Sequence, residues 1–178
     1  MPHFALELKA NLVNVTNLRP ADYATHHWCM KFKCSSCGAK FDHWQSATAE
    51  EIHVLHEHQR IANLIENCPF CAIQYSIHIL PDSYKPYDAN KNEQWQQIVR
   101  FDCRGMEPVD FDPTVGWVAE GSESGTVFED IDLTDKEWAD YDEKLNQPVE
   151  INSIDVRFVS VKYRKKDQKY YLAFQSCK

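Results

Sequence analysis

The chain has 178 residues, 43% of them hydrophobic and 12% aromatic, with five glycines and eight prolines. That length supports one hydrophobic core without disulfides, and the composition argues against disordered and collagen-like classes. The net charge of −8 speaks against nucleic acid as a partner, because phosphate binding needs a positive face.

The charge is unevenly placed: −1 over residues 1–105, −12 over 106–150 and +5 over 151–178. The acidic stretch suggests a surface for another protein. No apolar run approaches the ~20 residues of a membrane span, and Met1 to Ala10 carries no leader pattern. A single domain over 1–178, monomeric and cytoplasmic, with a nuclear location also open, is the expectation. Reduced thiols in that compartment turn seven cysteines into metal ligands plus leftovers rather than a disulfide framework.

Alternation opens the chain. Phe4, Leu6, Leu8, Ala10 and Leu12 fall on one side of a half-buried strand, opposite Glu7, Lys9 and Asn11. Trp28, Met30 and Phe32 alternate in the same way and run into Cys34. Further strands are predicted at Phe41–Gln45, Ile61–Glu66, Ile73–Leu80, Gln97–Cys103, Val115–Ala119, Thr126–Leu133, Ile151–Lys162 and Tyr170–Gln175. Residues 48–60 form a His-containing insertion, which periodicity leaves as a helix or a mobile excursion and which the long gap between the cysteine pairs requires to loop out or add its own strands. Thr134 and Glu137 fit a capping box, with Trp138, Tyr141 and Leu145 on one face, which predicts one short helix. The fold class that follows is all-β, an antiparallel two-layer β-sandwich with at most that helix.

Cys34-Ser35-Ser36-Cys37 and Cys68-Pro69-Phe70-Cys71 are two Cys-x-x-Cys pairs separated by 30 residues. Two intervening residues let a tight turn aim both sulfurs at one ion, and two such turns complete a tetrahedron. The spacing therefore predicts one zinc ion per chain on Cys34, Cys37, Cys68 and Cys71. Gly38 suits the left-handed position that follows a knuckle, whereas Ala72 at the matching place weakens the second pair. Four thiolates leave no open coordination position, which predicts a structural metal and no enzymatic activity.

Read alone, Cys68-Pro69-Phe70-Cys71 also fits a thiol-disulfide oxidoreductase, but that chemistry needs a helix after the motif, and Ile73–Leu80 reads as a strand. The chief alternative is a metal-handling protein that exchanges zinc or copper, since soft thiolates also suit Cu(I). His53, His56 and His58 are best placed in solvent, and Cys29, Cys103 and Cys177 read as packed or idle thiols.

Besides both cysteine pairs, the chain carries Asn14-Val15-Thr16-Asn17-Leu18-Arg19-Pro20, Lys85-Pro86-Tyr87, Cys103-Arg104-Gly105-Met106-Glu107-Pro108-Val109-Asp110-Phe111, Glu120-Gly121-Ser122-Glu123-Ser124-Gly125-Thr126 and Trp138-Ala139-Asp140-Tyr141-Asp142-Glu143-Lys144. With these it closely resembles the eukaryotic CXXC-motif-containing zinc-binding protein family over roughly residues 3–160. The resemblance implies a β-rich two-layer fold with zinc on the four named cysteines and no established enzymatic activity. Two departures are the insertion at about 48–60 and a C-terminal extension over about 162–178.

For the motif around residue 103, local chemistry favours a turn at Arg104-Gly105 and Glu107-Pro108, with Val109 and Phe111 packing inward. The functional alternative is a groove beside Trp117 lined by Asp110, Asp112, Glu120 and Glu123, suited to a basic partner.

Overall fold

The computed structural model describes residues 3–55, 60–164 and 169–172, with side chains described through residue 162. The largest sheet has seven antiparallel strands. Its centre is β1 (His3–Val13), which pairs on one edge with β14 (Gln147–Arg164) and on the other with β9 (Gln96–Arg104). Beyond β9 come β8 (Gln74–Leu80) and β7 (Leu64–Asn67), and β14 also carries β13 (Trp138–Asp142) and β15 (Lys169–Leu172).

Three smaller sheets complete the architecture. One is β4 (Gln45–Ala47) on β3 (Trp28–Cys34) on β10 (Met106–Asp112). Another is β2 (Val15–Pro20) on β11 (Trp117–Gly121) on β12 (Val127–Ile131). The last is the hairpin β5 (His53–Leu55) and β6 (Arg60–Ala62).

The two layers meet where alternation predicts. Trp28, Met30 and Phe32 of β3 are fully buried, as are Leu6 and Leu8 of β1, Ile77 and Ile79 of β8 and Phe101 of β9. The Trp28 ring lies 6.0 Å from Phe101 on the facing sheet and 6.0 Å from Phe111 on its own. Each such side chain contributes about 1.5–3 kcal/mol on burial, so this seam anchors the strand that delivers Cys34.

Several expectations are corrected. No helix forms at Thr134: the Asp132 carboxylate accepts from the Thr134 amide at 2.9 Å and Lys136 takes a left-handed φ of +60°. That turn leads into β13, where Trp138 opposes Ile151 and Tyr141 opposes Pro148, so the apparent helical spacing is spent on a strand. Among the described residues the only helical pieces are 3-10 turns at Pro81–Ser83 and Ala89–Lys91, and none is long and apolar enough to cross a membrane.

Within the insertion at 48–60, His53–Leu55 pairs with Arg60–Ala62 in a two-stranded sheet of its own, so it adds its own strands; residues 56–59 lie outside the described residues. The strand expected at Ile61–Glu66 is split at Asn63, whose buried side chain has other partners. The strand expected at Phe41–Gln45 begins only at Gln45, because Phe41 turns into the core. β2 was not anticipated; Asn17 at φ +53° breaks its alternation. Val109 is 45% exposed, not packed inward, because a register shift between Pro108 and Asp110 turns it out while Phe111 stays buried. The predicted strand at Tyr170–Gln175 is β15 through Leu172, and residues 173–175 lie outside the described residues.

Candidate metal centre

Both cysteine pairs sit at the ends of antiparallel ladders. Cys34 is the last residue of β3, and the chain returns through an isolated bridge between Lys33 and Lys40. Cys68 to Cys71 make the turn of the β7–β8 hairpin, where Asn67 opposes Gln74. The two turns are built alike. Cys34 N–H donates to Ala39 O at 2.9 Å and Gly38 N–H returns to Cys34 O at 3.0 Å; Cys68 N–H donates to Ile73 O at 2.9 Å and Ala72 N–H returns to Cys68 O at 2.8 Å.

All four sulfurs lie within 4.8 Å of one another. Cys34 Sγ is 3.7 Å from Cys71 Sγ, and Cys37 Sγ is 3.8 Å from Cys68 Sγ. Sulfurs at about 2.3 Å from one zinc, arranged tetrahedrally, are about 3.8 Å apart, so the residues fit a zinc ion. The contacts cross between the pairs, so any shared ion ties the first knuckle to the second. Cys34 and Cys68 are buried, Cys71 is half-buried and Cys37 is exposed, which puts one side of the cluster at the surface.

The turns also set the charge. Backbone N–H groups of Cys37 and Ser36 stabilise the Cys34 thiolate and bring its pKa down to about 6. At Cys71 the Ile73 amide favours the thiolate too, but burial and the sulfurs of Cys68, Cys37 and Cys34 outweigh it and push the thiol up to about 12. Four thiolates this close repel, and a divalent cation at their centre removes the penalty.

Residues outside the two cysteine pairs support the cluster. Gly105 carries φ +77°, and a Cβ there would stand 3.1 Å from Gln74 O and 3.3 Å from Tyr75 Cβ, so glycine lets the β9–β10 turn press against the second knuckle. Its carbonyl accepts from Ser35 N–H at 3.0 Å in the first. Phe70 is 69% exposed and stacks on buried Phe41 at 6.4 Å, forming an aromatic lip beside the sulfurs. The sequence signal for Gly105 was the turn expected at Arg104-Gly105; no signal tied Phe41 or Phe70 to the cluster.

The other candidates stand apart. Cys29 is half-buried outside the cluster, and burial raises the thiols of both Cys29 and Cys103. His53 lies 3.2 Å from Glu51, while His56, His58 and Cys177 fall outside the described residues. Trp117 does not flank an open groove as the less favoured alternative reading supposed. Trp117 is fully buried with its indole N–H on Pro113 O at 2.6 Å, and Glu120 is engaged by Arg19 at 2.9 Å and Asn17 at 3.0 Å.

A sequence profile described as "CXXC motif containing zinc binding protein, eukaryotic" matches residues 5–159. The chain is 45% identical over 159 residues to the Homo sapiens "CXXC motif containing zinc binding protein", covering 89% of this chain and 99% of that one. It is 44% identical over 166 residues to "UPF0587 protein F46B6.12" of Caenorhabditis elegans, covering 93% and 99%. Among solved structures, the crystal structure of C1orf123 is similar at a TM-score of 0.85 and 45% identity, over 89% of this chain and 99% of that chain. A hypothetical protein from Plasmodium falciparum shares the fold at a TM-score of 0.79 and 23% identity, over the same shares of the two chains. The chain belongs to the eukaryotic CXXC motif containing zinc binding protein family.

Proposed function

We propose that Cys34, Cys37, Cys68 and Cys71 hold one structural zinc ion, and that the protein is a non-catalytic module for binding another protein. The observation that carries the first part is the crossed sulfur spacing of 3.7 and 3.8 Å between the two knuckles. A four-thiolate shell is closed, so the ion supplies cross-linking energy and no site for substrate. X-ray absorption at the zinc edge tests this: four sulfurs at about 2.3 Å support it, and a light-atom or water ligand contradicts it.

The interaction role draws on charge. Glu123, Glu129, Asp130, Asp132, Asp135, Glu137, Asp140 and Glu143 are all exposed, and only Lys136 and Lys144 offset them within residues 106–150. Such a surface suits a basic protein partner, held outside the membrane and away from nucleic acid, by a monomer in the cytoplasm. Reversing Glu129 and Asp135 to lysine should abolish capture of basic partners while leaving the fold intact, since both are exposed; an unchanged set of captured proteins would count against the acidic face.

One observation favours a second reading. Exposed Cys37 and half-buried Cys71 put two sulfurs within reach of an incoming thiolate, as metal transfer requires. Rapid loss of zinc to a chelator from the folded protein would favour exchange over a permanent structural role.

A further inference from the structure

β13 ends the seven-stranded sheet: β14 pairs with one of its edges, and among the described residues no strand pairs with the other. Register decides what that open edge offers. Opposed residues of an antiparallel pair alternate between exchanging both hydrogen bonds and exchanging none. Tyr141 opposes Pro148, which has no N–H and whose carbonyl accepts at 2.8 Å from Nδ2 of Asn14, the residue after β1. Tyr141 and Pro148 are therefore a non-bonded pair. The N–H and C=O of Tyr141, and by the same alternation those of Ala139, point away from β14. The Tyr141 N–H donates instead to the exposed carboxylate of its own neighbour Asp140, at 2.7 Å.

The side chains beside this edge are acidic. Ala139 opposes Glu150, so the two share the face of the sheet away from core Ile151. A cleft of about 410 Å³ opens there between Asp135, Glu137, Trp138, Ala139, Glu150 and Asn152. Asn152 Nδ2 donates to Glu150 Oε2 at 3.0 Å, which holds that carboxylate in place. Among the described residues, no cation pairs with Asp135, Glu137, Asp140 or Glu150. Trp138 packs edge-on against Phe128 at 5.6 Å, which anchors the strand, while Tyr141 is 50% exposed and belongs to neither the core nor the metal centre.

We propose that β13 is a docking edge for an extended basic segment of a partner protein, which adds to the sheet as a further strand with lysine or arginine at every second position over the cleft. The proposal rests on the acidic-face reading above and gives that face its mode of binding. A carbonyl of the incoming strand replaces the Asp140 carboxylate on the Tyr141 N–H, and its own N–H groups donate to the carbonyls of Ala139 and Tyr141. Residues two apart share a face, so basic side chains at that spacing meet Glu137, Glu150 and Asp135. Charge selects the occupant. Two acidic edges repel, which disfavours a second copy of this chain, whereas a basic strand neutralises carboxylates that have no cation of their own.

The test titrates the full zinc-loaded chain with a blocked peptide of alternating lysine and valine, read by NMR amide shifts and hydrogen exchange. At saturation the amides of Ala139 and Tyr141 should gain protection of about tenfold or more, while those of Trp138 and Asp140, already paired with β14, stay unchanged. Relative to Tyr141→Ala, Tyr141→Pro lacks only the outward N–H and should bind the peptide about fivefold more weakly. Where the proline variant does not fold, exchange in the wild type decides alone. A peptide that shifts the acidic residues without protecting Ala139 and Tyr141, and binds both variants equally, overturns strand addition and leaves the acidic face standing. Absence of saturable shifts anywhere along residues 129–150 overturns both.

Discussion

Gly38 and Ala72 occupy the same backbone position in the two knuckles, at φ +76° and φ +58°, each one residue past the second cysteine and each closing its turn onto the carbonyl of the first. A glycine takes this left-handed conformation without steric cost, whereas an L-residue with a Cβ gives up about 1–2 kcal/mol. The second knuckle thus carries strain that the first avoids.

Exchanging the two residues should have opposite effects. Ala72→Gly is expected to raise the stability of the zinc-loaded protein by about 1 kcal/mol, and Gly38→Ala to lower it by a similar amount. No atom lies within 4 Å of a Cβ built at Gly38, so the cost there is conformational and not a clash. Denaturant midpoints at unchanged m-value are the readout; a destabilising Ala72→Gly would refute the equivalence.

Asn63 stitches the inserted hairpin to the sheet. It is 3% exposed, and besides its bonds to Ala49, Glu51 and His78 it accepts from Ile79 N–H at 2.8 Å. Asn63→Ala leaves several buried groups unpaired and should cost about 3 kcal/mol. Hydrogen exchange should rise first across residues 49–55 and 60–62, with the knuckle amides protected; uniform destabilisation would mean that the hairpin is not a separate unit.

His26 gives the protein a pH dependence. Its ring lies edge-on to Trp28 at 4.7 Å and to Trp117 at 5.2 Å, and burial brings its pKa from 6.5 to about 4. The folded value is below the unfolded one, so between pH 6.5 and 4 the unfolded chain binds the extra proton. Stability is therefore full above pH 6.5 and falls as pH drops toward 4, by about 3 kcal/mol from this group. His26→Gln should remove that slope, measured as the difference between variant and wild type so that zinc release cancels. Parallel stability curves would show that His26 does not titrate as described.

The sequence was most legible where one local pattern decided the outcome. Alternation in Phe4–Leu12 and Trp28–Phe32 located β1 and β3, and doubled cysteine pairs located four sulfurs that the fold brings within 4.8 Å. It was least legible where a local pattern fitted two periods. Thr134, Glu137, Trp138, Tyr141 and Leu145 satisfy a helix on paper, but pairing of β13 with β14 prevails over the capping box. Trp117 reads as a groove residue only until its burial is known. A cavity beneath the β5–β6 hairpin gave no signal at all, since His78 and Asp102 meet only through the register of β8 and β9 and Arg60 reaches them from the separate hairpin.

The central claim is a closed zinc site that holds the two knuckles together, and native mass spectrometry of protein purified without added metal tests it most directly. Structural zinc contributes roughly 10–16 kcal/mol of apparent binding energy in small peptides, against about 5–15 kcal/mol of net stability for a domain. One zinc per chain is expected in the wild type and none in the Cys34→Ser, Cys68→Ser double variant, with loss of ordered structure over residues 28–80. A metal-free wild type carrying a Cys68–Cys71 disulfide, with unchanged circular dichroism, would contradict the account and make thiol redox chemistry the leading explanation of the two pairs.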